Sequence, residues 1–282
     1  MPLLKKRGHA PGTDWVTIGA DFRRPAMRTT LLALSLACAL GAPLAHAADA
    51  PRPEVALQAQ RLQPKVLAWR RDIHQHPELG NRETRTAKLV AAHLRSLGLE
   101  VKTGIATTGV IAVLKGGKPG PRIAIRADMD ALPVTERNAL PFASKATSTF
   151  RGETVGVMHA CGHDAHTSTL MGVAEAMAAM KAELPGEVLF VFQPAEEGPP
   201  DGEEGGAEEM LKQGIFRDFK PEAVFGLHVF STLNAGQLGY RAGPAMAASD
   251  RFNIVIKGRQ THGSRPWGGV DPIVAAADVI GS

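Results

Sequence analysis

Residues 158–166 concentrate more reactive side chains than any other stretch of the sequence. They read Met-His-Ala-Cys-Gly-His-Asp-Ala-His and hold three histidines, one cysteine and one aspartate. Thiolate and imidazole ligands suit zinc, manganese, cobalt or nickel better than calcium. Cys161 and His163 are therefore candidate metal ligands, while the same thiol beside three histidines is also a candidate nucleophile of a cysteine hydrolase.

Three apolar segments that predict strands are each followed at once by acidic or imidazole side chains. Asp128 and Asp130 follow residues 122–127, Glu196 and Glu197 follow residues 187–192, and His228 follows residues 223–227. In an open α/β sheet, ligands and catalytic groups gather outside the carboxyl ends of the strands. We therefore expect these side chains to meet at one edge of a sheet, and a helix at 165–180 to bring Cys161 and His163 there too.

Such a collection fits metal-dependent hydrolysis, which needs ligands and also a base that the metal does not hold. Glu196 and Glu197 can divide this work, because one backbone turn can aim one carboxylate at the metal and the other at its bound water. The metal lowers the pKa of that water to near neutral, and the free carboxylate takes its proton during the attack. The residues therefore predict a metal-dependent hydrolase.

The elements that carry these residues alternate between helix and strand. Helical patterns run from Glu54 towards Pro77 and at 84–97, 165–180 and 206–212, and strand patterns lie at 110–114, 122–127, 187–192 and 223–227. This alternation predicts an α/β fold with a mostly parallel sheet and flanking helices on both faces. At the end of the first helix, His74 and His76 are predicted as hydrogen-bonded histidines, since no acidic cluster accompanies them.

Residues 1–47 have the three parts of a secretory leader in the right order. A positive region, an apolar run and a small-residue cleavage site are supplied by Arg23, Arg24 and Arg28, by residues 31–40, and by Ala45-His46-Ala47. We expect cleavage after Ala47 and export to the periplasm or the medium. The apolar run is too short to span a bilayer permanently. If translation starts at Met27, residues 1–26 are an over-extended reading frame.

The charge is not that of a nucleic-acid-binding protein. The formal net charge of +4 comes from residues 1–47, where six Lys and Arg outnumber two Asp and Glu, and the remaining residues are balanced. Of the two cysteines, Cys38 leaves with the leader, so Cys161 would be the single cysteine of the exported protein. A cysteine without a disulfide partner, placed between two histidines, is expected to be a ligand or a nucleophile.

Residues 48–245 are predicted as a catalytic domain, and residues 246–282 as the beginning of a second domain. Residues 251–258 alternate like a half-buried strand, a Thr-His-Gly-Ser-Arg-Pro loop with His262 follows, and a helix is predicted from Asp271 to Ile280. One strand and one helix cannot bury a core. We therefore expect both domains to be incomplete and the chain to be truncated.

Several motifs resemble those of one group of metallohydrolases. The motifs are residues 158–166, Phe192-Gln193-Pro194-Ala195-Glu196-Glu197-Gly198, Gly226-Leu227-His228, and residues 126–133 and 74–79. They are similar to those of the hippurate hydrolase and indoleacetyl-amino-acid hydrolase branch of the aminoacylase–carboxypeptidase amidohydrolases. The resemblance runs from about Leu67 to the end of the chain.

The resemblance implies a site with two divalent metal ions. The implied ligands are Cys161, His163, Glu197 and His228. Glu196 would be the general base, and Asp130 would orient a ligand. A further histidine ligand of the family lies in a part that this sequence does not contain. The implied substrates are N-acyl amino acids or related small amides and peptides, which are split into a carboxylic acid and an amino acid.

The resemblance also implies that the second domain is an α+β ferredoxin-like lid, inserted in the catalytic domain and used for homodimerisation. His262 matches a lid histidine that, in relatives, reaches the neighbouring subunit's site and polarises the scissile carbonyl. Residues 199–204 lengthen the loop after the glutamate pair relative to the family. The alternatives to an active amidohydrolase are an inactive truncated fragment of such an enzyme and a cysteine hydrolase that uses Cys161.

Overall fold

The computed structural model describes residues 16–19, 52–247 and 252–282, and the chain divides into two compact units. One unit spans Thr30–Ser231, and the other combines Met1–Thr29 with Thr232–Ser282.

The helices are α1 (Pro53–Gln75), α2 (Thr84–Ser96), α3 (His163–Ala179), α4 (Gly206–Lys212) and α5 (Pro272–Gly281). The strands are β1 (Val16–Gly19), β2 (Glu100–Ile105), β3 (Gly109–Lys115), β4 (Lys118–Asp128), β5 (Thr147–Phe150), β6 (Glu153–Gly156), β7 (Pro185–Gln193), β8 (Ala223–Gly226) and β9 (Gln237–Tyr240).

The first unit is built on a five-stranded sheet with the strand order β2-β3-β7-β4-β8. Strands β7, β4 and β8 are parallel, and Ile125 of β4 lies between Phe190 of β7 and Phe225 of β8. Strand β3 is antiparallel to both β2 and β7, and a turn of only three residues joins it to β2, as antiparallel pairing permits. The predicted α/β fold is confirmed, and the three parallel strands are those that lead to the candidate site residues.

Both faces of the sheet are buried at its central strands, and the side chains of β7 alternate between them. Phe190 packs in one cluster with Leu94 of α2 and Met171 of α3. Leu189 belongs to the opposite cluster, with Met210 of α4. Each large apolar side chain that is buried in this way contributes about 1.5–3 kcal/mol to stability. The two-sided core explains why β7 reads as a continuous apolar run, whereas Val224 and Phe225 of the edge strand β8 are more than half exposed.

Most predicted elements of the first unit form close to their predicted bounds. Helix α3 begins at His163, two residues before its predicted start, so His163 and Asp164 occupy its first turn. Gly162 precedes the helix with a φ of 91°, a left-handed conformation that favours glycine. The sequence patterns do not predict strand β2 or the antiparallel hairpin of β5 and β6.

The second unit contains one strand pair and one helix within its described residues. Strand β1 pairs with β9, and α5 forms as predicted, with the Asp271 carboxylate accepting a hydrogen bond from the amide of Ile273. The predicted strand at 251–258 is wrong, because residues 252–258 form no regular element and Val255 is 80% exposed. A strand needs a paired neighbour, and only an isolated bridge between Arg259 and Val270 follows this segment.

Apart from Val16–Gly19, the predicted leader lies outside the described residues. The leader, its cleavage after Ala47 and export therefore stay predictions. Among the helices that the structure describes, none has the length and apolar character needed to cross a membrane.

Candidate metal centre

Side chains from four elements meet at the carboxyl edge of the parallel strands. Strands β4, β7 and β8 end at Asp128, Gln193 and Gly226, and helix α3 begins at His163. The segments that follow the strands carry Glu196, Glu197 and His228. The edge expected from the sequence therefore forms, and the short loop before α3 adds Cys161 to it.

His163 lies at the centre of this cluster. Its Nε2 lies 3.7 Å from Oε2 of Glu196 and 3.7 Å from Oε1 of Glu197. Ligand atoms of Cys161, His163 and His228 all lie within 4.8 Å of one another, and the same holds for His163, Glu196 and Glu197. A third group joins His163 with Asp128 and His166, so three groups of possible metal ligands share His163.

The buried ring of His163 has the properties of a metal ligand. It is inaccessible to solvent, and neither ring nitrogen has a hydrogen-bond partner among the described residues. A buried polar group without a partner costs about 1–3 kcal/mol. Burial lowers the pKa of His163, but the carboxylates of Asp130, Asp128 and Glu196 outweigh burial and raise it. A divalent cation would bind a ring nitrogen of His163 and offset the negative charge of the surrounding carboxylates, so the residues fit divalent metal ions.

The thiol of Cys161 has the properties of a ligand rather than those of a nucleophile. Burial, a hydrogen bond with Glu197 and the charges of Glu196 and Asp128 raise its pKa to about 12. A nucleophilic cysteine needs a lowered pKa, whereas a bound metal ion deprotonates a coordinating thiol outright. The raised pKa of the thiol therefore argues against the cysteine-hydrolase alternative.

The ring of His228 is held with its Nε2 towards Cys161. Its Nδ1 donates a hydrogen bond to the carbonyl oxygen of Val229 at 2.7 Å, which assigns the ring proton to Nδ1. The Nε2 lone pair then faces Sγ of Cys161 at 3.4 Å. An imidazole in this tautomer, fixed by a backbone carbonyl, is ready to bind a metal ion.

Asp130 fixes the backbone of the glutamate pair. It is buried, its Oδ1 accepts a hydrogen bond from the amide of Glu196 at 2.9 Å, and its Oδ2 accepts one from the amide of Glu197 at 3.0 Å. The same Oδ1 lies 3.4 Å from Nδ1 of His163. Asp130 therefore contacts both sides of the cluster, in the position that an orienting residue requires.

Glu196 has the environment of a general base. Its side chain is 38% exposed, so it can reach a substrate. Burial and the neighbouring charges of Asp128 and Glu197 raise its pKa, although the charge of His163 acts in the opposite direction. A carboxylate with a raised pKa binds a proton more readily, which suits proton abstraction near neutral pH.

His166 positions the loop that carries His228, through contacts that the sequence does not predict. Its Nδ1 donates to Oδ1 of Asp128 at 2.7 Å, and its Nε2 accepts a hydrogen bond from the amide of Val229 at 3.0 Å. The loop also packs on Gly162, where an added Cβ would lie 2.2 Å from a methyl group of Val229. Neither this close approach nor the hydrogen bond to Val229 had a sequence signal.

The other histidines that the structure describes in this unit do not join the cluster. As predicted, His74 and His76 are hydrogen-bonded, but the expectation that no acidic cluster accompanies them is wrong for His74. Its Nδ1 lies 2.8 Å from Oδ2 of Asp164, and its Nε2 lies 3.2 Å from Oε1 of Glu136. The Nδ1 of His76 donates to the carbonyl oxygen of Asp72 and also lies 3.5 Å from Oδ1 of Asp72. His159 is buried, and burial lowers its pKa to about 4.

His262 belongs to the second unit and lies on an exposed loop. Its Nδ1 accepts a hydrogen bond from the amide of Ser264 at 3.2 Å and lies 2.9 Å from the Ser264 hydroxyl. Its predicted role at a neighbouring subunit's site stays a prediction.

Comparison with known proteins supplies the family. The model of peptidase family M20/M25/M40 matches residues 124–279. The chain belongs to this family. It is 43% identical over 215 residues to thermostable carboxypeptidase 1 of Saccharolobus solfataricus and 42% identical over 229 residues to the N-acyl-L-amino acid amidohydrolase of Geobacillus stearothermophilus. These matches cover 76% and 81% of this chain but only 51% and 58% of the relatives, so the chain spans little more than half of their length.

A solved structure of the M20 family gives the same result. The YXEP protein of Bacillus subtilis, a dinuclear metal-binding peptidase, is 41% identical, with a TM-score of 0.54 over 62% of this chain and 45% of that chain. Membership of the M20 family confirms the sequence resemblance at the level of the family. It also agrees with a catalytic α/β domain whose residues bind divalent metal ions.

Proposed function

We propose that this M20 protein is a metal-dependent amidohydrolase that cleaves the amide bond of N-acyl amino acids or related small amides. The observation that carries the proposal is the buried imidazole of His163, whose ring nitrogens have no hydrogen-bond partner among the described residues. Around it, Cys161, Glu197 and His228 bring a thiol, a carboxylate and a second imidazole. This donor set suits zinc, manganese, cobalt or nickel. Two ions are proposed because the motif resemblance implies them and because the YXEP protein is described as a dinuclear metal-binding peptidase.

In the proposed mechanism the residues divide the work as follows. Cys161, His163, Glu197 and His228 would hold the ions, which when bound supply Lewis-acid activation of the amide carbonyl and of water. Glu196 would take the proton from the attacking water through its carboxylate, whose Oε2 lies 3.7 Å from Nε2 of His163. Its raised pKa favours this transfer, and the protonated group can then donate to the leaving nitrogen. Asp130 would keep the glutamate pair in place throughout.

Substrates of the hippurate and indoleacetyl-amino-acid type are proposed within this class. The motif resemblance and the N-acyl-L-amino acid amidohydrolase relative support them. The carboxypeptidase relative makes short peptides the second class to test. Both classes place the scissile amide next to a free carboxylate, so one site chemistry serves both.

For the whole protein we further propose export, with cleavage after Ala47, and a homodimer formed through a lid that begins near residue 246. In that dimer His262 would polarise the scissile carbonyl in the neighbouring subunit's site. Mass spectrometry of the N-terminus tests the leader, and sedimentation of the longest natural form of the protein tests the dimer.

The experiment that tests the activity is hydrolysis of a panel of N-acyl amino acids and N-blocked dipeptides, before and after treatment with a chelator. We expect release of the free amino acid from at least one substrate, loss of this activity on metal removal, and its return with zinc, manganese, cobalt or nickel. Hydrolysis that continues undiminished after complete metal removal would contradict the proposal.

A further inference from the structure

The turn that carries Glu196 and Glu197 is held by a second buried carboxylate, that of Glu83. Glu83 is inaccessible to solvent. Its Oε1 accepts a hydrogen bond from the amide of Ala195 at 2.8 Å, and its Oε2 accepts one from the hydroxyl of Thr108 at 2.5 Å. Together with the two bonds to Asp130, this contact means that three consecutive amides of the turn donate to buried carboxylates.

Glu83 does not serve the helix that it precedes. It occupies the N-cap position of α2, where a side chain usually accepts from the first amides of the helix, yet it makes no such bond. Glu78 fills that role, because its two carboxylate oxygens accept from the amides of Arg85 at 2.9 Å and Thr86 at 2.8 Å. The burial of the Glu83 carboxylate therefore needs another explanation than helix capping.

The backbone at Ala195 needs the support that Glu83 gives. Ala195 has a φ of 47°, in the left-handed region that costs energy for a residue with a side chain. Such a conformation persists only where the surroundings enforce it, and here it directs the next two residues towards His163. A loss of the Ala195 hydrogen bond would let this turn relax and move both carboxylates.

The residues before Glu83 also lie against the loop that follows the glutamate pair. A Cβ added at Gly80 would lie 2.7 Å from the carbonyl oxygen of Gly198. The side-chain amide of Asn81 donates to Oε2 of Glu203 at 3.0 Å and to the carbonyl oxygen of Glu204 at 2.9 Å. Residues 80–83 therefore contact both the extra loop residues 199–204 and the amide of Ala195.

We propose that Glu83 is a positioning residue, which acts through the amide of Ala195 to aim Glu197 at the metal ions and Glu196 at the attacking water. This role rests on the proposed function of that pair. Burial raises the pKa of Glu83 to about 7, so its charged and neutral forms both occur near neutral pH. Glutamine resembles the neutral form, keeps an oxygen for Ala195 and can donate to the oxygen of Thr108, so it should preserve the role.

Three variants separate positioning from general stability. Glu83→Met fills the space without an acceptor, Glu83→Gln keeps the acceptor, and Thr108→Val removes the other hydrogen bond of Glu83 while leaving Ala195 untouched. The readouts are zinc affinity by competition with a coloured chelator and hydrogen exchange of the Ala195 amide in the metal-free protein. Melting temperatures verify folding, and if Glu83→Met does not fold, Glu83→Asp, which shortens the reach, takes its place.

We expect Glu83→Met to weaken zinc binding about 10- to 100-fold and to speed exchange at Ala195, whereas Glu83→Gln and Thr108→Val stay within about threefold of the parent. Unchanged zinc affinity in Glu83→Met, or an equal loss in Thr108→Val, would overturn the proposal. If the parent itself binds no zinc, the proposed function fails, and exchange at Ala195 still decides the role of Glu83. Faster exchange of the Ala195 amide in Glu83→Met than in Thr108→Val then supports the proposal that Glu83 fixes the turn, and equal rates refute the proposal.

Discussion

The Nε2 atom of His228 lies 3.4 Å from Sγ of Cys161, although 67 positions separate the two residues in the sequence. The contact joins the end of a parallel strand to the loop before helix α3. Neither residue has a role in the hydrophobic core, and the tautomer of His228 leaves its lone pair facing the thiol. We propose that the two residues share a metal ion, and this proposal has consequences that can be measured.

The first prediction concerns the reactivity of Cys161 in the metal-free protein. Because its pKa is raised to about 12, the thiol stays protonated at neutral pH. We expect alkylation by iodoacetamide at pH 7.5 to be at least about tenfold slower than for a free cysteine with a pKa of about 8.5. Mass spectrometry of the peptide that contains Cys161 measures the rate. Fast alkylation that abolishes a metal-independent activity would restore the cysteine-hydrolase alternative.

The second prediction concerns the general base. Glu196→Gln keeps the shape of the side chain but cannot accept a proton, so we expect kcat to fall by about 10²–10⁴-fold while zinc affinity changes little. Glu208→Gln, on the exposed face of α4, is the matched control and should retain full activity. Steady-state kinetics on the best substrate of the panel measures both. Unchanged turnover in Glu196→Gln would refute the assignment.

The third prediction concerns Asp130, whose two oxygens accept from two successive amides. Asn at this position has one oxygen and one donor, so one amide of the glutamate pair would face an NH₂ group. We expect Asp130→Asn to weaken metal binding by about 10- to 100-fold. The control is Asp201→Asn, which lies in the exposed loop that follows the glutamate pair. Equal metal affinities in the two variants would show that the amide contacts of Asp130 are dispensable.

The fourth prediction concerns the pH dependence of stability. Burial would raise the pKa of Asp128, but the hydrogen bond from His166 and the charges of His163 and Arg126 lower it to about 2. Because the folded pKa lies below the unfolded one, the stabilisation is complete above about pH 5 and is lost as the pH falls towards 2. We expect Asp128→Asn to lower the free energy of unfolding of the metal-free protein by about 2 kcal/mol at pH 7. At about pH 3 we expect this loss to be smaller by about 1 kcal/mol.

Urea unfolding in the presence of a chelator measures this difference. The parent and Asp128→Asn are compared at both pH values, so that the titration of other groups cancels. If the two pH values give the same difference in free energy, the carboxylate charge of Asp128 is not the source of the stabilisation.

The sequence could predict that the site residues meet, because the end of each strand in the sequence fixes where the next residue lies in the sheet. Asp128, Glu196 and His228 each follow an apolar strand, and parallel strands present their carboxyl ends at one edge. The supporting contacts could not be predicted in this way. The amides that His166 and Glu83 hold lie 63 and 112 positions away, and no local pattern encodes such pairs.

The second unit shows the opposite case, in which a local pattern was insufficient. The alternation at 251–258 matches a strand. Residues 252–258 nevertheless form no strand, because they have no paired neighbour among the described residues. Helix α5 needs no partner strand for its backbone hydrogen bonds, and the Asp271-Pro272 start signal was enough to predict it. Strand formation depends on distant neighbours, whereas helix formation satisfies its backbone locally.

Cobalt substitution tests the metal centre most directly, because a thiolate bound to cobalt gives a charge-transfer absorption that imidazole and carboxylate ligands do not. The measurement uses a Cys38→Ser background, in which Cys161 is the single cysteine of the sequence. We predict that this band appears and saturates with added cobalt, and that Cys161→Ser abolishes it while weaker cobalt binding persists. Cobalt binding without a thiolate band in the parent, or a band that survives Cys161→Ser, would contradict the proposed ligand set.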